Sequence, residues 1–232
     1  MTRIILEPTY ILHRLPYRNT SLLVELFTES HGRIPVIARS ARGLKSRYQG
    51  RLEIFTPFLA SWSGQRELKS LGNVDFARPP YSLDGNFLIC GFYLNELLMH
   101  FLHRNDPHPA LFQLYEKTLG QLADQQDIHI TLRIFEKRLL DEVGYGLIFS
   151  YDAKTKQPIQ EDKAYHYIPE LGFVLAGSTN IQYAQFSGAS LLALHHESFT
   201  NDRVIAESKR IMRAIINRYL GHKTLKSREL FV

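Results

Sequence analysis

Ten histidines, one cysteine and a few adjacent carboxylates are the residues from which this chain could build a reactive centre. His100 and His103 stand three apart and could share a helix face with His108 close by, which is a metal-binding spacing. Zinc sites usually also recruit thiolates or carboxylates, so the plainer reading is three ordinary imidazoles. His195 and His196 are neighbours, and neighbours on a helix point apart. His196-Glu197 begins like the HExxH zinc-hydrolase motif, but Thr200 holds the place of the second histidine. Gly221-His222-Lys223-Thr224 resembles the end of a phosphate loop, yet His222 intervenes and Ile216 stands where the first glycine is required. No GxSxG elbow occurs. Asp141-Glu142 and Glu161-Asp162 lie in polar surroundings, with no apolar pocket to drive their pKa values apart. Cys90, set among Leu88, Ile89, Gly91 and Phe92, reads as a buried core thiol; being alone, it excludes an intramolecular disulfide and a multi-thiolate zinc site. The expectation is a protein with no catalytic residue, no cofactor and no metal.

Charge tells more. The 232-residue chain carries a formal net charge of +5 with 44% apolar and 22% charged residues, an ordinary globular composition. The first 80 residues hold twelve Lys/Arg against six Asp/Glu, so the remainder is close to neutral. The sharpest cluster is Arg39, Arg42, Lys45, Arg47 and Arg51, spaced by Ser40, Gly43, Ser46 and Gly50 and interrupted by no acid. Spaced cations among small residues on a flexible loop can follow a sugar–phosphate backbone, and that binding weakens steeply with salt. Lys69 joins this set. Tyr48, Phe55, Phe58 and Trp62 could offer faces for base stacking or could fill the core. Core filling is favoured for all but Trp62, which sits beside a polar turn. A second basic stretch, residues 203–228, has eight Lys/Arg and one acid, Glu207. Arg203, Lys209, Arg210 and Arg213 suit the outer face of an amphipathic helix as well as they suit binding; Lys223, Lys226 and Arg228, beyond that helix, are the better candidates for nucleic-acid contact.

The elements that position these residues change character near residue 80. Ile4–Leu15, Leu22–Phe27, Ile34–Ala38, Leu52–Trp62 and Glu67–Phe76 read as five short strands with Ser/Gly turns between them, the pattern of an OB-fold barrel. Arg78-Pro79-Pro80 ends that run. Helical periods follow over 83–102, 109–122 and 130–143. Between 148 and 176 the period is lost, and Tyr165-His166-Tyr167 and Phe173-Val174-Leu175 flank Glu170-Leu171-Gly172 as a hairpin. Helices return over 187–194 and 202–220, the last with Asn201 as N-cap and Gly221 as its stop. The fold class is α+β: a five-stranded OB-fold domain over 1–80 that binds nucleic acid, then an α-helical domain over 81–232 with a small β-hairpin insertion. The opening Met1–Pro8 has too short an apolar run for a signal peptide, and no stretch reaches the roughly 18 apolar residues of a membrane span. A cytoplasmic protein is expected.

Several stretches, taken in order, carry a resemblance: Thr20-Ser21-Leu22 through Phe27-Thr28-Glu29, Gly32-Arg33, Ala38-Arg39-Ser40-Ala41-Arg42, Phe55-Thr56-Pro57 and Tyr93-Leu94-Asn95-Glu96-Leu97-Leu98. Phe135-Glu136, Gly144-Tyr145-Gly146 and the closing Leu225-Lys226-Ser227-Arg228-Glu229-Leu230-Phe231 complete it. With these the chain resembles the bacterial RecO family of recombination mediators over essentially its full length. The resemblance implies a nucleoid-associated DNA repair protein that binds single- and double-stranded DNA, anneals complementary strands and helps load recombinase onto strands coated with single-strand-binding protein (SSB). It implies RecR and the acidic C-terminal tail of SSB as partners, with Arg133 matching the basic tail-binding position and Arg138 beside it. Ile134 stands where some relatives carry a second arginine. Many members bind zinc through four cysteines after the Gly-Tyr-Gly stretch; residues 149–175 here contain none. The competing reading is a protein–protein adaptor whose helical domain binds the SSB tail while the barrel has little direct DNA role.

Overall fold

The structure, a computed structural model, describes residues 3–177 and 183–230. Met1-Thr2 of the opening segment and Phe231 of the closing motif lie outside the described residues. The chain forms two compact units. One takes the described residues up to Gln126 together with those from Leu225 onward; the other runs from Asp127 to Thr224.

The first unit is built on a closed barrel of β1 (Arg3–Tyr17), β2 (Ser21–Thr28), β3 (Gly32–Ala38), β4 (Phe58–Ser63) and β5 (Lys69–Phe76), ordered β1-β2-β3-β5-β4 around the ring. β1 closes it by pairing with two neighbours: Thr9–Tyr17 run against β2, and Arg3–Thr9 against β4. Its register slips between Ile4 and Glu7 and between Ile11 and His13, and such bulges bend a strand around a small barrel. β3 and β5 form the parallel pair. Alternation sends Val24, Leu26, Ile34, Val36, Phe58, Ala60 and Trp62 inward, where they are at most 4% exposed. The other side of β1 and β2 is apolar too. Tyr10 and Phe27 meet Phe112 and Tyr115 at centroid distances of 5.1 to 6.0 Å, which docks the helix α2 (Pro109–Ala123) onto the barrel wall. The helix α1 (Gly85–Phe101) is fixed by Asn95, whose Nδ2 donates to Leu12 O at 3.0 Å while its Oδ1 accepts from the Tyr115 hydroxyl at 2.6 Å. At the β2–β3 turn Gly32 has φ +68, and an added Cβ would collide with the Asp106 backbone.

Two strands start later than the sequence suggests, β5 by two residues at Lys69 instead of Glu67 and β4 by more. The expected strand from Leu52 begins only at Phe58, because Tyr48 and Leu52 are drawn into the barrel end and Phe55 takes φ +59.

The second unit packs α3 (Ile128–Glu142), α4 (Gly188–His196) and α5 (Asp202–Leu220) with a three-stranded sheet. Asp127 caps α3 by accepting from the amides of His129 and Ile130, and Asn201 caps α5 by accepting from Val204 N. The hairpin is β6 (Ala164–Ile168) and β7 (Gly172–Leu175), with Glu170 at φ 68 in the turn; β8 (Gln185–Ser187) adds a third strand on the other side of β6. Ser187 is not the first helical residue but the N-cap of α4, accepting from Ser190 N.

Where the resemblance would place four zinc-binding cysteines, the residues present do not fit a metal. No group of three or more His, Cys, Asp or Glu side chains gathers among the described residues. The insertion is held instead by Asp152, 2% exposed. Its Oδ1 accepts from the amides of Lys154 and Thr155 at 2.8 and 2.7 Å, and its Oδ2 from Leu175 N at 2.7 Å, which ties the 152–157 turn to β7. Phe149, Phe173, Tyr167 and Phe186 form the apolar backing. Burial pushes the Asp152 carboxyl up, but the amides of Thr155, Leu175 and Lys154 outweigh burial and hold it below the usual carboxylate range. Asp152→Ala should therefore cost about 1–3 kcal/mol, because three part-buried amides lose this charged acceptor. The contribution of this carboxylate is fully present above its unfolded pKa of about 3.9 and is lost as pH falls through its lower folded value. Urea midpoints of wild type and Asp152→Ala measured from pH 7 downward should converge in that acid window.

Candidate nucleic-acid interface

The five clustered cations occupy the connection between β3 and β4. This segment is a run of tight turns rather than the flexible loop expected. Gly43 N donates to Ser40 O at 3.2 Å, Ser46 N to Gly43 O at 3.0 Å, Gln49 N to Ser46 O at 3.2 Å and Arg51 N to Tyr48 O at 3.0 Å. Tyr48 is the anchor. Its ring is 3% exposed in the barrel end, and its hydroxyl is shared between Leu71 O at 2.9 Å and Gly72 O at 3.0 Å. Burial raises the Tyr48 pKa against the opposing pull of Arg47, so the phenol remains a donor.

Three of the cations fasten the segment through carbonyls. Arg42 Nη2 donates to Arg18 O at 2.8 Å and Asn19 O at 2.7 Å, and Arg42 N to Thr20 O at 2.8 Å, binding the segment to the β1–β2 turn. Arg47 Nη2 donates to the Tyr48 hydroxyl at 2.6 Å, with its guanidinium 4.7 Å from that ring centroid. Arg51 Nη1 donates to Val74 O at 3.0 Å. Arg39 and Lys45 are exposed and make no hydrogen bond or ion pair with another described residue. None of the five is in an ion pair with a carboxylate among the described residues, whereas the nearby Glu53 is taken by Arg14 at 2.7 Å. Carbonyls fix geometry without cancelling charge. The result is an exposed set of uncompensated cations on a segment that three of them fasten, a charge distribution suited to a polyanion. Leu44, at the tip between Arg42 and Lys45, is 97% exposed.

The other candidates lie elsewhere. Lys69 is half-buried and lines a groove of about 450 Å³ with Trp62, His31, Gln65 and Asn105. Lys226 is exposed and Arg228 half-buried, its guanidinium 5.7 Å from the Tyr93 ring centroid. Their segment is a 3-10 turn (Lys226–Leu230) gripped by Glu96, which accepts from Lys226 N at 2.8 Å, Ser227 N at 3.0 Å and the Ser227 hydroxyl at 2.6 Å. Counting cations in the closing motif gives no sign of this tether.

All four aromatics considered for stacking are interior: Tyr48, Phe55 and Phe58 are 3%, 3% and 0% exposed, and Trp62 is 4% exposed. Trp62 is thus no exception; it sits edge-on to His31 at 5.4 Å. The exposed barrel aromatic is Phe76, at 54%, with the Arg51 guanidinium 5.9 Å from its ring centroid. Strand alternation from Val74 would turn Phe76 inward, and only the end of β5 at this residue leaves it outside.

On α3, Arg133 is 4% exposed and meets Glu136 in a bidentate pair, Nε to Oε2 at 2.7 Å and Nη2 to Oε1 at 2.5 Å. Arg138 is exposed and meets Glu197 in the same fashion, at 3.0 and 2.6 Å, with Lys137 Nζ also 3.0 Å from that carboxylate. Burial lifts the Glu197 carboxyl, but Arg138 and Lys137 more than offset it and keep its pKa below the ordinary range. Both arginines are thus answered by this chain's own carboxylates, and an incoming acidic peptide would have to displace Glu136 or Glu197. Arg133→Ala removes the counter-charge of a buried carboxylate and should cost about 3–5 kcal/mol. Chemical denaturation should show that loss in the absence of any ligand, with Arg138→Ala changing the midpoint far less.

A closed five-stranded barrel in this order, carrying an acid-free basic segment and followed by helices, defines an OB-fold protein with a helical extension. The chain belongs to the RecO family. The family models described as "Recombination protein O N terminal" and "Recombination protein O C terminal" match residues 1–80 and 82–229. Proteins named "DNA repair protein RecO" are similar along nearly the whole chain. That of Coxiella burnetii is 53% identical over 228 residues, covering 98% of each chain. That of Methylococcus capsulatus is 43% identical over 230 residues, covering 99% of this chain and 94% of its own. That of Haemophilus influenzae is 42% identical over 226 residues, covering 97% and 95%. The chain is accordingly a member of a DNA repair and recombination family. No helix among the described residues is long and apolar enough to cross a membrane.

Proposed function

We propose that this protein is a mediator of DNA repair that binds DNA through the β3–β4 segment and anneals complementary strands, acting by charge and positioning without covalent chemistry. The observation that carries the reading is the set of five exposed cations, none in an ion pair with a carboxylate, held on an OB-fold barrel in a chain of the RecO family. Strands neutralised on such a surface release counterions and repel each other less, which lowers the barrier to pairing. Recombinase loading onto SSB-coated strands, with RecR and the SSB tail as protein partners, completes the proposed role. Arg138 is the exposed basic position on α3 for that tail, and Lys69, Lys226 and Arg228 are further positions for DNA.

Mixing complementary fluorophore-labelled oligonucleotides tests the core of this reading. The protein should speed their pairing at low salt, and the absence of any acceleration, with or without SSB, contradicts annealing. Arg39→Glu combined with Lys45→Glu should weaken binding without loosening the segment, since neither side chain holds backbone. The log–log salt slope on single strands should then flatten by about 0.7 for each phosphate that is no longer neutralised. An unchanged slope removes the segment from the interface.

A further inference from the structure

We infer that Phe76 and Arg51, with Arg47, form a seat for one unstacked base on the β5 side of the basic segment. The base lies on the Phe76 ring, and its flanking phosphates lie on the two guanidiniums. The inference rests on the DNA-binding reading above and names the place where that surface recognises something other than charge.

Exposure singles out Phe76. The four other aromatics considered on the barrel and its β3–β4 segment are at most 4% exposed, while 54% of Phe76 faces solvent at the end of β5. A large apolar ring left in water beside a cation is suited to a flat, partly polar partner, which a nucleobase is. The Arg51 guanidinium lies over that ring at 5.9 Å from its centroid, so one face has a cation beside it and the other is left for a base.

Position singles out the two arginines. The carbonyls of Leu71 and Val74 hold Arg47 and Arg51 at points three residues apart on β5, roughly 10 Å at about 3.3 Å per residue. Between them lies a cleft of about 260 Å³ floored by Gly72 and Asn73. Asp75 also lines this cleft. Its carboxylate disfavours a phosphate beside it, so the phosphates take the guanidiniums that bound the cleft and the base takes the Phe76 ring. Within a duplex every base face is already covered by its neighbours, so the seat selects single strands, gaps and ends.

The experiment compares two ligands of equal length and charge: a short deoxyadenosine oligonucleotide and the same backbone with every base removed. Phe76→Ala should weaken binding of the first roughly tenfold, as expected for losing about 1–3 kcal/mol of stacking at 1.4 kcal/mol per decade. It should leave the affinity of the abasic strand and both salt slopes unchanged. Phe76→Trp should bind the base-bearing strand at least as tightly as wild type. Equal weakening on both ligands, or none on either, overturns the seat while the charge-based interface stands. Wild-type protein that binds neither strand at low salt overturns the DNA-binding reading itself, and the seat with it.

Discussion

The constraint on which the molecule turns is ring closure by β1. A single strand of fifteen residues pairs with β2 along one part and β4 along the other, and it can do so only by bending at two slips in register. Closing the ring this way leaves the connection from β3 to β4 to cross the open end of the barrel. That end has to be kept dry, and Tyr48 and Leu52 from the connection do so. The segment that bears the cations is thus also the plug of the apolar core. Its arginines can point outward because its tyrosine points inward.

The same segment shows how positive charge can be concentrated without being neutralised. Arginine carries five donors and a charge that persists at any physiological pH. Arg42, Arg47 and Arg51 give some of those donors to neutral carbonyls of the β1–β2 turn and β5, so they are oriented yet still charged. Elsewhere in the chain arginines are treated differently. Arg104 and Arg33 share Glu25, and Arg133 and Arg138 each have a carboxylate in bidentate contact. The two treatments leave the guanidinium charge exposed and unanswered on the β3–β4 segment and neutralised at Glu25, Glu136 and Glu197.

Much of this was legible in the sequence. The five strands, the switch to helices after Pro79-Pro80, the Asn201 cap and the hairpin at Glu170-Leu171-Gly172 follow from period, turn chemistry and capping, all local properties. What was not legible depends on distant partners. The start of β4 moved because Tyr48 and Leu52 were claimed by the barrel end. β8 is three residues long and runs straight into α4, too short for its alternation to register. The polar turn beside Trp62 suggests an exposed ring, but strand alternation overrides that turn and buries it, while Phe76 at the end of β5 is left exposed. The pairing of Arg133 with Glu136 is an i, i+3 relation visible on paper. Its burial is not, and burial decides whether that arginine faces a ligand or a carboxylate of its own helix.

The grip of Glu96 on Lys226 and Ser227 has an implication for how the chain assembles. Residues 127–224 leave the barrel-bearing unit and return to it, so in topology they are a guest within a host whose final strap is made after the guest. A chain emerging from the ribosome can close its β-ring early. The carboxylate on α1 must wait for its amide partners until the whole second unit has been synthesised, and the host reaches its final hydrogen-bonded state only when translation reaches Ser227.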